Sequence, residues 1–137
     1  MSDQPKIPVE TPQEWLRYAE ADLGVAEREL LSGEPAYPTI CFLCQGAVEK
    51  FLKGYLIAQG WTLEKTHDVV ELLAFCADFD AELGTMAAEG AVLNEYIVAG
   101  RYPGDLTFEE IGEAQAEEAL KAARHIRTRV KELMKMK

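Results

Sequence analysis

The chain has 137 residues, 48% of them hydrophobic and 28% charged. That is enough for one domain with its own core, and the balance is that of a globular protein rather than a disordered one. No apolar run approaches the roughly 20 residues that cross a bilayer as a helix, and Met1 to Glu10 holds no apolar signal core, so the reading is a cytoplasmic protein without a membrane partner. A formal net charge of −10 makes a generic nucleic-acid binder a poor fit, because phosphate contacts supply most of that affinity.

The charge is unevenly placed. From Lys121 onward there are seven basic residues against Glu132 alone, so the remainder of the chain is more acidic still. Carboxylates from Glu109 to Glu118 open the last predicted helix and the cations close it, the order a helix dipole favours. Blocks of charge on a helix commonly form a solvated face.

Residues 1–10 carry two prolines and no periodicity and read as a flexible arm, with one domain over 11–137. Thr11-Pro12-Gln13-Glu14 is a capping box with proline where a missing N–H costs nothing. It predicts a helix to about Leu31, with Leu16, Ala19, Leu23, Ala26 and Leu30 inward, closed by a left-handed turn at Ser32-Gly33. After a short proline connector, Cys41 to Ala58 reads as a helix apolar around most of its circumference. Cys41, Cys44, Val48, Leu52 and Leu56 recur at helical spacing, and Phe42, Phe51 and Tyr55 widen the face. Such a helix belongs at the centre of a bundle. Its polar exceptions are Gln45, Glu49, Lys50 and Lys53, and steps of three and four put Gln45 with Glu49, and Lys50 with Lys53, on overlapping faces. Gly60 is the expected C-terminal glycine, with Trp61 folding back.

Thr66 is placed to cap a third helix through Phe79, with Val69, Leu72, Leu73 and Cys76 inward. A fourth helix is expected from Ala81 to Ala99. Gly100-Arg101-Tyr102-Pro103-Gly104 breaks the chain, and Thr107 to Glu110 is a second capping box that opens the last helix. No strand-like alternation occurs. The prediction is an all-α, up-and-down antiparallel bundle of about five helices.

Little in the chain points to chemistry. Cys41 and Cys44 form a C-x-x-C without a second pair, and His67 and His125 lack ligand-like spacing, so no metal is expected and the three cysteines read as core. No nucleophile elbow or phosphate loop occurs, and no cofactor is implied. Two places remain. His67 can titrate near neutrality against a neighbouring carboxylate such as Asp68, although a packed loop-end histidine looks the same in sequence. Arg101 at a rigid bend can present its fork to a phosphate, and Tyr102 can stack on a base; equally, Arg101 can pair with Glu95 or Asp105.

Gln45 to Lys53, then His67-Asp68 with Leu72-Leu73, then Leu93-Asn94-Glu95-Tyr96, then Arg101-Tyr102-Pro103 together resemble the HEPN domain, over roughly Trp15 to Leu133. The resemblance implies a small helical bundle, commonly a homodimer, often paired with a minimal nucleotidyltransferase and in several cases the toxin of a toxin–antitoxin pair. Catalytic members are metal-independent ribonucleases in which an arginine is followed, after about four to six intervening residues, by a histidine, and 2′-hydroxyl attack needs such a proton acceptor. Arg101 matches the arginine, but the next histidine is His125. The expectation is therefore a nucleotide-binding or nucleotidyltransferase-partner module without ribonuclease activity, with Lys50, Lys53, His67, Asp68, Arg101 and Tyr102 as ligand residues. The alternatives are a ribonuclease toxin that uses Arg101 with His67 as a rearranged acid/base, and a purely structural oligomerising scaffold. Surplus apolar residues such as Trp61, Phe79 and Phe108 favour a dimer.

Overall fold

The computed structural model describes residues 11–97 and 107–135. The N-terminal arm and Arg101, Tyr102 and Pro103 lie outside the described residues, as does the side chain of Phe108. The elements are α1 (Pro12–Leu30), α2 (Tyr37–Ala58), α3 (Val69–Cys76), α4 (Ala81–Gly84), α5 (Ala87–Asn94), a 3₁₀ turn at Phe108–Glu110, and α6 (Glu113–Met134). No strand occurs among the described residues, and none of the helices there is long and apolar enough to cross a membrane. The antiparallel all-α bundle is as expected, with six α-helices where about five were anticipated.

α2 is the axis. Ile40, Cys41, Cys44, Ala47, Val48, Phe51, Leu52 and Leu56 are fully buried, and α1, α3, α5 and α6 all pack on this helix. Only wide apolar coverage lets one helix serve so many neighbours. It starts about a turn earlier than Cys41 because Pro38 sits in the first turn, where no N–H is required. Its end follows the sequence. Gly60 takes φ +92°, the Gly60 N–H donates to Ile57 O and the Trp61 N–H to Leu56 O, both at 3.0 Å. Those are the paired bonds of a Schellman cap. Trp61 then packs on Phe75 of α3, ring centroids 5.8 Å apart.

α1 runs antiparallel to α2. Thr11 caps it, its hydroxyl accepting from the Glu14 N–H at 3.1 Å, and Ala19, Leu23 and Ala26 are buried. Gly54 of α2 is the point of closest approach: a Cβ there would lie 3.0 Å from Trp15 Cβ and 3.2 Å from the Pro12 carbonyl oxygen. The expected left-handed turn at Gly33 is absent; among the described residues only Gly60 has positive φ. α1 instead ends through Leu31 and Ser32, whose N–H groups donate to the Arg28 and Glu29 carbonyls.

Three boundaries differ from the sequence reading. α3 is capped by Asp68, not Thr66, and ends at Cys76. Thr66 sits one step outside, its hydroxyl accepting from the Asp68 N–H and donating to Glu71. The fourth helix, expected unbroken from Ala81 to Ala99, is two short helices. The Thr85 hydroxyl donates to the Glu82 carbonyl at 2.7 Å, a local bond that competes with helix continuation, and the chain turns there to bury Met86 beside Leu83. Thr107 and Glu110 do bond, Thr107 N–H to Glu110 Oε1 at 2.9 Å, but they close only the 3₁₀ turn. α6 begins later, with Gln115 reaching back to the Gly112 N–H.

Four cations of α6 pair with carboxylates of other elements. Arg124 donates to Glu27, Arg127 and Lys131 both reach Glu20, and Arg129 grips Asp80, Nε to Oδ2 at 3.1 Å, while also facing Glu82 and Glu132. The basic segment is a solvated face, with Arg124 and Lys131 about half exposed, whose cations also brace α6 onto α1 and α4.

Candidate functional site

Gln45, Glu49 and Lys53 follow one another at intervals of four on α2 and so stack on one face of the helix. They are the polar interruption in an otherwise apolar axis, and Gln45 and Lys53 are only 4% and 5% exposed. A buried charge is tolerated only when paired, and Glu49 supplies the pairing. Its Oε2 accepts from Lys53 Nζ at 2.8 Å, and its Oε1 accepts from Gln45 Nε2 at 3.2 Å. His67 Nδ1 lies 3.1 and 3.0 Å from the two carboxylate oxygens. Burial pushes the Glu49 carboxyl up, but the bonds and charges of Lys53 and His67 outweigh it and hold the group below its ordinary value. Lys53 Nζ also stands 5.8 Å from the centre of the Trp15 ring, where a desolvated cation gains from the ring quadrupole.

His67 is thus held twice. Glu49 takes its Nδ1, and the Gln45 amide donates to its backbone carbonyl at 3.3 Å. The side chain is otherwise 70% exposed, with Nε2 the ring nitrogen that Glu49 leaves unengaged. The carboxylate that orients the ring lies 18 residues back in the chain and is not the adjacent Asp68. Asp68 has a different task. It caps α3 by accepting from the Glu71 N–H at 3.1 Å and accepts from Asn94 Nδ2 at 2.8 Å. Asn94 Oδ1 in turn takes the Val69 N–H at 2.8 Å. The Asn94 bond, then the Glu71 N–H, hold the Asp68 carboxyl below its usual range. The end of α5 is so tied to the start of α3, next to His67.

Lys50 points to the other side of the stripe and pairs with Asp22 of α1 at 2.7 Å. Between Lys50 and His67 opens a cavity of about 470 Å³, a size typical of small-molecule sites. Gln45, Glu49, Lys50, Asp22 and His67 line its polar part, and Phe42, Leu43 and Ile97 its apolar wall. Gly46 leaves the floor open: a Cβ there would meet only Asp22 Oδ2 and Lys50 Nζ, both at 3.5 Å.

The structure therefore brings Lys50 and His67 together at one cavity, with Lys53 behind Glu49 and Asp68 in the wall's support. Arg101 and Tyr102 lie outside the described residues. Glu49, Gln45, Asn94 and Asp22 were not named as site residues by the sequence reading. Their only signal was Gln45 and Glu49 appearing four apart in a helix that is otherwise apolar. Both lysines already face carboxylates, so the described rim is close to charge-balanced. What it offers is an apolar wall for a planar ring, including Phe42 at 57% exposure, and a fixed imidazole edge.

The remaining candidates are structural. Cys41, Cys44 and Cys76 are buried, and burial pushes their thiols up to about 11, 12 and 12. Thiols so protonated are poor nucleophiles and poor metal ligands. Among the described residues no three His, Cys, Asp or Glu side chains gather closely enough to hold a metal ion.

The HEPN domain profile matches residues 12–133. The chain belongs to the HEPN domain family. Two solved structures agree. ST0689, an archaeal HEPN homologue, is 27% identical, with 91% of this chain and 98% of that one covered and a TM-score of 0.73. TT1696 from Thermus thermophilus is 28% identical, with 88% and 96% covered and a TM-score of 0.72. No curated protein matches this HEPN chain.

Proposed function

We propose that this HEPN domain is a nucleotide-binding module, homodimeric and partnered with a nucleotidyltransferase, and that it lacks ribonuclease activity. The observation that carries the proposal is the Glu49-anchored His67 at the mouth of a cavity walled by Phe42, Leu43 and Ile97. A base stacked on that wall would place its polar edge or phosphate within reach of His67 Nε2, with Lys50 beside it. The anion share of the affinity is assigned to Arg101 and the stacking share in part to Tyr102. For the homodimer, Tyr18 and Val25 of α1 and Phe42 of α2 are large apolar side chains left 58%, 44% and 57% exposed, a stronger argument than Trp61, which Phe75 already covers. Phe79, at 49% exposed, remains available.

One observation favours the ribonuclease reading instead. A carboxylate on Nδ1 fixes the tautomer that leaves Nε2 able to accept a proton, the state a general base requires. The two readings separate in one experiment. Purified protein is incubated with single-stranded RNA under chelation, and its melting temperature is recorded with and without millimolar ATP. The proposal expects intact RNA and a rise of several degrees, since a ligand at about 100 times its Kd adds roughly 2.7 kcal/mol. RNA cleavage that disappears in His67→Ala and Arg101→Ala would replace it with the enzyme reading. No cleavage and no shift would leave only a scaffold.

A further inference from the structure

Among the described residues that line the His67 cavity, Gln45 alone is both polar and almost fully buried, at 4% exposed. A second cavity, of about 540 Å³ between α5 and α6, has nothing comparable. Its polar lining is Glu89, Glu118, Lys121 and His125, and none of the four is buried.

The sense of the Gln45 amide is fixed by its neighbours. Nε2 faces Glu49 Oε1 at 3.2 Å and the His67 carbonyl oxygen at 3.3 Å. An ionised carboxylate and a carbonyl oxygen accept and do not donate, so the NH₂ belongs there and both its hydrogens are engaged. No described residue donates to Gln45 Oε1. Trp15 Nε1 is the one fully buried side-chain polar atom without a partner among the described residues. The Gln45 oxygen is therefore open to solvent, and the space that Gln45 borders is this cavity.

The other polar atoms of the lining can be assigned in the same way. Glu49 is engaged by Gln45, Lys53 and His67. Asp22 gives Oδ2 to Lys50 and keeps Oδ1. Lys50 keeps two N–H groups. His67 Nδ1 faces only carboxylate oxygens and donates to them, so Nε2 of the neutral ring is an acceptor. The cavity thus presents three acceptors and one cation beside an apolar wall. A flat ring on that wall meets those acceptors with N–H donors, and a buried acceptor left without one costs affinity.

We infer that Gln45 Oε1 reads the exocyclic amine of a nucleobase stacked in this cavity. The inference rests on the nucleotide reading of the site, and it adds which bases are taken and which atom selects them.

The test is calorimetric titration of three pairs of nucleotides that differ at the exocyclic amine: ATP and purine riboside 5′-triphosphate, GTP and ITP, CTP and UTP. In at least one pair the amine-bearing member binds the wild type about tenfold more tightly. Gln45→Met, similar in volume but without the acceptor, narrows that gap to within about twofold. Gln45→Asn, which withdraws the oxygen by one methylene, also narrows it, and serves if circular dichroism shows the methionine variant to lose helicity. Pairs equal within about twofold in the wild type would overturn the inference while leaving nucleotide binding intact. Variants that weaken both members alike and keep the gap would overturn it too, because Gln45 would then only support the site. Absence of binding by all six nucleotides would remove the nucleotide reading and this inference together.

Discussion

Both histidines of this chain sit at the mouth of a cavity, and both are held through Nδ1 by a glutamate, yet the two arrangements differ in kind. Glu49 belongs to the central helix, its side chain 13% exposed, and it answers Lys53 and Gln45 as well as His67. Glu89 lies on an eight-residue helix, its side chain 29% exposed, and bonds His125 alone among the described residues. The first pair is part of the core's polar satisfaction, so His67 is oriented before any ligand arrives. The second is a surface contact across an open groove. Orientation by a buried network is what prepares a binding site; an exposed ion pair contributes little.

The contrast predicts a ranked set of losses. Glu49→Ala strands Lys53 as an uncompensated buried charge and costs about 3–5 kcal/mol in urea unfolding. The double variant Glu49→Leu, Lys53→Met recovers most of that loss, since a buried pair replaced by apolar groups of like volume is often neutral. If Glu49→Ala costs less than about 1 kcal/mol, the buried network is not the anchor described here. Next comes Asp80, whose carboxylate caps α4 at the Leu83 N–H, 2.9 Å, and holds Arg129. Asp80→Ala costs about 1–2 kcal/mol from the lost cap. Asn94→Ala removes the tie between α5 and α3 and costs about 1 kcal/mol. Glu89→Ala costs well under 1 kcal/mol.

Acid sharpens the same comparison. Arg129 holds the Asp80 carboxyl, and the network holds that of Glu49, below their ordinary values of 3.8 and 4.5. A carboxyl whose folded-state pKa is depressed stabilises the fold above its unfolded value and loses that contribution as pH falls through the folded one. Stability from these groups is therefore full above about pH 5 and declines from pH 4 downward. In Glu49→Gln and in Asp80→Asn the acid limb of the stability curve flattens.

The architecture was readable because apolar period and capping are local. The spacing from Cys41 to Leu56 named the axis, Thr11 and Gly60 marked ends the chain uses, and Val69, Leu72, Leu73 and Cys76 are buried as expected. Ala81 to Ala99 was misread because only the tertiary position of Met86 makes a break at Thr85 worthwhile. The candidate cavity was only partly legible. His67 and Lys50 do share a cavity, and Lys53 belongs to its support. Glu49, the residue that organises them, was hidden because its partner comes from a loop beyond the next turn. A carboxylate with a lysine four residues on looks like any surface pair until burial is known. The pairing of the basic tail was hidden for the same reason: its acids lie on α1 and α4, far away in sequence.

Calorimetric titration of ATP into the wild type and Gly46→Leu tests the central claim most directly, because the leucine fills the cavity floor while its Cβ makes only ordinary van der Waals contact, at 3.5 Å, with Asp22 Oδ2 and Lys50 Nζ. The account predicts saturable binding by the wild type and at least a tenfold loss in the variant, about 1.4 kcal/mol or more. Equal affinity in the two proteins, or no binding by the wild type, would contradict it.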